Sequence, residues 1–121
     1  MAKILVIDDE PGIREIIWCV LKAAGHEVIV FPNGAGAISH VRREPADLLI
    51  TDIFMPEVEG LETIRDIRHL ASEMPIIAIS GVVLEGRNYL QIAKKFGAVA
   101  TLQKPFWPAD LLDLVSSVLV T

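Results

Sequence analysis

Short runs of branched apolar residues recur along the chain at Ile4–Ile7, Val28–Phe31, Leu48–Ile50, Ile76–Ile79 and Ala98–Leu102. Most are continuous rather than alternating, as in strands covered on both faces. Between them the period changes to that of a helix. Ile13, Ile16, Ile17, Val20, Leu21 and Ala24 follow the i, i+3, i+4 spacing, with Pro11 in the first turn and Gly25 as the stop. Asn33 caps a second helix carrying Ile38 and Val41. Leu61, Ile64, Ile67 and Leu70 mark a third, ended before Pro75. A fourth runs from about Tyr89 to Phe96 and stops at Gly97, and a fifth starts near Pro108 with Leu111, Leu112, Val115, Val118 and Leu119 inward. Strands alternating with helices predict an α/β fold: a doubly wound (βα)5 three-layer sandwich around a five-stranded parallel sheet with right-handed crossovers.

In such sheets ligands bind outside the carboxyl ends of the strands, where the winding reverses. Asp8 and Asp9 follow the first strand, Asp52 the third, Ser80 the fourth and Lys104 the fifth, so all five fall on one rim. In the flavodoxin-like strand order 2-1-3-4-5 the first and third strands are neighbours. Three carboxylates then converge, with a hydroxyl and an ammonium approaching from the other side. Carboxylates so close raise one another's pKa unless a cation compensates. Oxygen-only ligands suit a hard ion such as Mg²⁺, with Mn²⁺ as a substitute, and Mg²⁺ keeps places for water and phosphate oxygens. The rim therefore reads as a phosphate site. Lys104 and the cation neutralise phosphoryl oxygens, Ser80 donates to one, and Asp52, centrally placed, is the candidate nucleophile.

Composition narrows the alternatives. The 121 residues, 52% of them apolar, suffice for one core, and nothing resembles a linker or repeat, so residues 1–121 read as one domain. Eleven basic and sixteen acidic residues give a net charge of -5. The basic residues are scattered, which argues against direct nucleic-acid binding. No apolar run is long enough to span a membrane. The single Cys19 forms no internal disulfide, and no Cys or His pair has zinc spacing, so a cytoplasmic protein starting at Met1 is expected. Gly34-Ala35-Gly36 lacks the third glycine of a dinucleotide loop and follows the second strand. His26, His40 and His69 are dispersed and read as surface residues, Cys19 as structural, Met55 and Phe106 as packing beneath the site, and Trp107 as either buried or exposed.

Together these residues resemble the receiver domains of two-component response regulators. The resemblance rests on Asp8-Asp9-Glu10-Pro11, on Asp52-Ile53-Phe54-Met55-Pro56 with Gly60 beyond, on Ser80-Gly81, and on Gly97-Ala98 leading to Lys104-Pro105-Phe106. It implies that Asp52 accepts a phosphoryl group from a sensor histidine kinase, a histidine phosphotransfer protein or acetyl phosphate. Asp9 would bind Mg²⁺ directly, Asp8 directly or through water, and the Phe54 carbonyl would add a ligand. Ser80 and Lys104 would contact the phosphoryl group, and the Lys104-Pro105 bond would be cis. The acyl phosphate would then alter a face made by helix 4, strand 5 and helix 5. That face would serve a downstream target, a missing output domain or a weak dimer of an otherwise monomeric chain; the broad apolar arc of helix 5 reads first as packing against the sheet and neighbouring helices, with a dimer or target contact on that face as the alternative.

Some positions depart from the family pattern. Thr101 stands where an aromatic switch residue is usual, and Gly81 replaces a commoner Ala, which predicts a more mobile segment from Gly81 to Arg87. Phe54 and Val82 flank the site without a group able to orient water, which predicts slow self-dephosphorylation. The chain is expected to act on itself rather than as an enzyme on a separate substrate. Two rivals are a phosphohydrolase, which would need an Asp-x-Asp after the first strand, and a receiver-like module that works by docking alone.

Overall fold

A computed structural model describes residues 2–53, 59–81, 83–84 and 87–119. The chain alternates β1 (Lys3–Ile7), α1 (Pro11–Ala23), β2 (Glu27–Phe31), α2 (Gly34–Arg43), β3 (Leu48–Asp52), α3 (Glu59–Leu70) and β4 (Ile76–Ser80). A two-residue pair, β5 (Val83–Leu84) and β6 (Arg87–Asn88), precedes α4 (Tyr89–Phe96), β7 (Ala100–Gln103) and α5 (Pro108–Leu119). The five main strands are all parallel, in the order β2-β1-β3-β4-β7. This is the flavodoxin-like order expected, with β7 as the fifth strand.

The continuous apolar runs are explained by two cores, one on each face of the sheet. Leu5, Ile7, Leu49, Ile76 and Ala78 pack with Ala37 of α2, Ile64 and Ile67 of α3 and Ala93 of α4. Ile4, Val6, Leu48, Ile50, Ile77 and Ile79 face the other way, onto Ile17 and Leu21 of α1 and Leu111 and Val115 of α5. Neighbouring strand residues thus enter opposite cores, and each fully buried Leu or Ile contributes about 1.5–3 kcal/mol of apolar transfer.

Local signals set the helix ends. The Asn33 side chain accepts from the Ala35 N–H at 3.1 Å, capping α2. Gly25 and Gly97 adopt φ +95° and +125° just past α1 and α4, conformations that a side chain would strain. Arg68, near the end of α3, ties two turns together. One of its terminal nitrogens donates to the carbonyls of Ser72 and Met74 at 2.8 and 2.7 Å, the other to Gly97 at 2.7 Å.

Several expectations need correction. His40 is buried, its ring edge-on to Phe31 of β2 at 6.3 Å. His26 is half-buried, with Nδ1 accepting from the Ala2 N–H, and His69 alone is fully at the surface. The inward stripes of α1 and α3 are narrower than their sequences suggest, since Ile16 and Leu70 remain nearly half exposed and Ala24 is exposed. Trp107 is 77% exposed, whereas Phe106 packs against the α1–α5 core. Cys19 is exposed on α1. The short β5–β6 pair joins Val83 to Asn88 and Leu84 to Arg87; Val82, Glu85 and Gly86, in the segment expected to be mobile, lie outside the described residues. Among the described residues, no helix is long and apolar enough to cross a membrane.

Candidate functional site

The site lies on the rim formed by the carboxyl ends of β1, β3, β4 and β7. Asp8 continues the β1 ladder by one bond, its N–H donating to the Phe31 carbonyl at 3.2 Å. Its Oδ1 then accepts from the Glu10 N–H at 2.9 Å, an Asx turn that redirects the chain into α1. Asp52 and Ser80 are the last residues of β3 and β4, and Ile53 N–H to Ile79 carbonyl at 3.0 Å keeps those strands in register there. The Thr51 hydroxyl donates to the Asp52 carbonyl at 3.0 Å. Lys104 follows β7, with its N–H on the Ser80 carbonyl at 3.0 Å and a cis bond to Pro105.

Asp8, Asp52 and Ser80 are buried, at 0%, 3% and 2% exposure. Burial of unpaired carboxylates is costly, and here an ammonium offsets it. Lys104 Nζ donates to Asp8 Oδ2 at 2.9 Å and to Asp52 Oδ2 at 3.2 Å, and lies 3.6 Å from Glu10 Oε1. Burial alone would lower the pKa of Lys104. The hydrogen bond to Asp8 and the charges of Asp52 and Asp8 outweigh that and hold it above its ordinary value.

One ammonium does not balance the acids gathered here. Asp8, Asp9, Glu10 and Asp52 each offer a carboxylate oxygen, all within 4.8 Å of one another. Two are buried and two exposed, so the group combines fixed oxygens with access to water. That donor set, oxygen-only and open to solvent, fits a hard divalent cation of the Mg²⁺ type.

The structure thus brings Asp8, Asp9, Asp52, Ser80 and Lys104 to one place. Phe54, whose carbonyl was expected as a further ligand, lies outside the described residues, as do Met55 and Val82. Sequence reasoning passed over Glu10 as a site residue although it is the third acid of the Asp8-Asp9-Glu10 triplet. It also passed over Arg14, which donates to the Asp8 carbonyl at 2.6 Å. Adjacency could have flagged Glu10; nothing in the spacing marks Arg14 apart from any solvated helix arginine. Gly81 has a steric role beyond loop freedom, because a Cβ there would meet Lys104 Cβ at 3.0 Å. Thr101 sits half-buried in β7 opposite Ala78.

A doubly wound sheet with acids, a hydroxyl and a lysine on one rim defines a class of signalling module, and comparison with known proteins gives the family. The chain belongs to the response regulator receiver domain family, which it matches over residues 4–116; it is the receiver domain of a two-component response regulator. It is 33% identical over 120 residues to the response regulator receiver protein CpdR of Brucella abortus, covering 99% of this chain and 98% of that one. Among solved structures it superposes on the chemotaxis protein CheY4 of Vibrio cholerae with a TM-score of 0.86 at 31% identity, over 98% of each chain. It is similar too to the receiver domain of the sensor histidine kinase PA1611 of Pseudomonas aeruginosa, solved with a magnesium ion coordinated in its active site cleft. There the TM-score is 0.88 at 25% identity, over 99% of this chain and 98% of that one.

Proposed function

We propose that Asp52 is the phosphoacceptor of a two-component or phosphorelay system, and that the chain's only chemistry is on itself. The observation that carries this reading is the position of Lys104, whose ammonium bridges the two buried carboxylates of a group of four acids. A site built for a neutral ligand has no use for so much fixed charge of both signs. A site for a phosphoryl group does, because transfer depends on positioning and on neutralising the equatorial oxygens.

In the proposed step an Asp52 carboxylate oxygen attacks the phosphorus of a phosphohistidine. The P–N bond breaks, and the imidazole nitrogen leaves and takes up a proton. With acetyl phosphate the P–O bond to the acetyl group breaks and acetate leaves. Lys104 pairs with the transferred oxygens and Ser80 donates a hydrogen bond to one of them. Asp8, Asp9 and Asp52 would hold Mg²⁺, and the carbonyl of Phe54, which lies outside the described residues, would be a further ligand. The ion, when bound, supplies positive charge to the phosphoryl oxygens. The magnesium reported for the PA1611 receiver supports this assignment. The donor is a sensor histidine kinase or a histidine phosphotransfer protein in the cytoplasm. The acyl phosphate biases the face made by α4, β7 and α5 toward a downstream target, an output domain or a second copy.

Intact mass after incubation with acetyl phosphate and MgCl₂ tests the reading. A single phosphoryl adduct that requires Mg²⁺ and disappears in Asp52→Asn is expected. An adduct that survives Asp52→Asn, or no adduct at all, overturns it and favours a module that works by docking alone.

A further inference from the structure

The geometry points to Arg14 as a positioning residue for the acidic turn, one that fixes Asp9 for the cation without touching the cation itself. This rests on the reading of the acid group as a Mg²⁺ site.

Asp8 and Asp9 face the same rim but are held very differently. Every polar group of Asp8 has a partner. Its N–H donates to Phe31, Oδ1 accepts from Glu10 and Oδ2 from Lys104, and its carbonyl accepts from Arg14. Asp9 is exposed, and among the described residues no hydrogen bond or ion pair holds its carboxylate. The backbone on either side is therefore the described feature that limits where its carboxylate can reach.

Arg14 brackets that backbone on both sides. Its side-chain nitrogen donates to the Asp8 carbonyl at 2.6 Å, and its own N–H donates to the Glu10 carbonyl at 3.1 Å. Arg14 thus reaches the carbonyls of both residues flanking Asp9; that of Glu10 also accepts from the Ile13 N–H at 3.1 Å, whereas that of Asp8 is held by the Arg14 side chain. The backbone bond to Glu10 is an ordinary helical one that any residue could make. The bond to Asp8 needs a long side chain with a charged donor, and charge-assisted bonds of this length are the stronger kind.

The alternative is that the Arg14 charge merely offsets the acids. The two accounts differ in sign. If Arg14 acts only as a nearby positive charge, removing it makes the site more negative and tightens Mg²⁺. If it positions Asp9, removing it loosens the turn and weakens Mg²⁺, as loss of outer-shell partners does elsewhere, by about tenfold at the mild end.

The test is MgCl₂ titration followed by amide chemical shifts in the full chain, with thermal melts of each variant in EDTA. Arg14→Ala is expected to weaken Mg²⁺ by about tenfold, at the mild end of outer-shell losses, and to lower the acetyl phosphate reaction at low Mg²⁺ while saturating Mg²⁺ restores it. Arg14→Lys, which keeps a charged donor, recovers most of the affinity. Equal or tighter binding by Arg14→Ala overturns the inference, as does an Arg14→Lys variant no better than Arg14→Ala. Asp9→Asn separates this from the underlying reading. If wild type and Asp9→Asn bind Mg²⁺ alike, Asp9 is not a ligand and the role given to Arg14 fails while the acid group stands; if neither responds to MgCl₂, the Mg²⁺ assignment itself fails.

Discussion

Lys104 Nζ stands 3.2 Å from Asp52 Oδ2 although their strands are not neighbours. β4 lies between β3 and β7, so their backbones are about 10 Å apart, two strand spacings. A four-carbon stem and an aspartate side chain close that gap, with Ser80 at the end of the strand beneath. A shorter cation at position 104 could not reach, and the same ammonium also meets Asp8, one strand further on, at 2.9 Å. Lys104 is therefore the one described cation in contact with both buried carboxylates of the rim.

Replacing it with an apolar residue of similar length should show that dependence. Lys104→Met leaves Asp8 and Asp52 buried without a counter-charge, and breaking one partner out of a buried pair costs about 3 kcal/mol even at the low end. Urea unfolding in EDTA is expected to show a loss of that order, with part of it regained in MgCl₂. A variant as stable as wild type in EDTA would mean that water already screens the two carboxylates.

The same pair of chains gives a pH test. The Asp8 hydrogen bond and the Asp52 charge hold Lys104 above its ordinary 10.5 in spite of burial. A group whose folded pKa is raised stabilises fully below its unfolded value and loses that contribution as pH rises through the folded one. The stability difference between wild type and Lys104→Met should thus be flat from about pH 7 to about pH 10 and shrink at higher pH. A gap that persists unchanged well above that range would locate the effect in packing of the lysine stem.

How much of this was legible in the sequence follows from what each residue depends on. β1, β3 and β4 are continuous apolar runs because both faces are covered, and α1 and α5 carry a clear helical period, so their places could be read directly. Asp8, Asp52, Ser80 and Lys104 were legible because strand ends follow from strand runs. His40 was not, since its burial depends on α2 crossing β2, a tertiary fact with no periodic mark. The β5–β6 pair has two residues per strand, too few for any period. Arg14 and Arg68 have their partners in backbone carbonyls, which are the same at every residue and leave no pattern.

Arg68 separates stability from chemistry. Burial lowers its pKa, and its donors satisfy carbonyls of the α3–β4 turn and of Gly97. Those contacts lie at the amino ends of β4 and β7, opposite the rim that carries Asp52. Arg68→Ala should lower stability by about 2 kcal/mol, as expected for lost hydrogen bonds to a charged group. Phosphoryl uptake measured by intact mass at a temperature where the variant is folded should equal that of wild type. A reduced rate in folded protein would show that the far end of the sheet communicates with the site.

Metal removal should expose the conflict among the acids. Four carboxylates face one ammonium, so in EDTA the folded chain carries unrelieved repulsion, and Asp9→Asn should be at least as stable as wild type. Mg²⁺ that binds only the native state adds RT ln(1 + [Mg²⁺]/Kd), about 1.4 kcal/mol for each tenfold increase once the site is filling. Wild-type stability should then climb linearly with log [Mg²⁺] while that of Asp9→Asn stays flat, and the two curves should cross. The crossing matters more than either slope. It would show that the arrangement which weakens the empty fold is the one that creates affinity for the ion. Parallel curves in urea unfolding across a Mg²⁺ series would instead mean that Asp9 contributes nothing to binding, and that Asp8, Glu10 and Asp52 hold the cation alone.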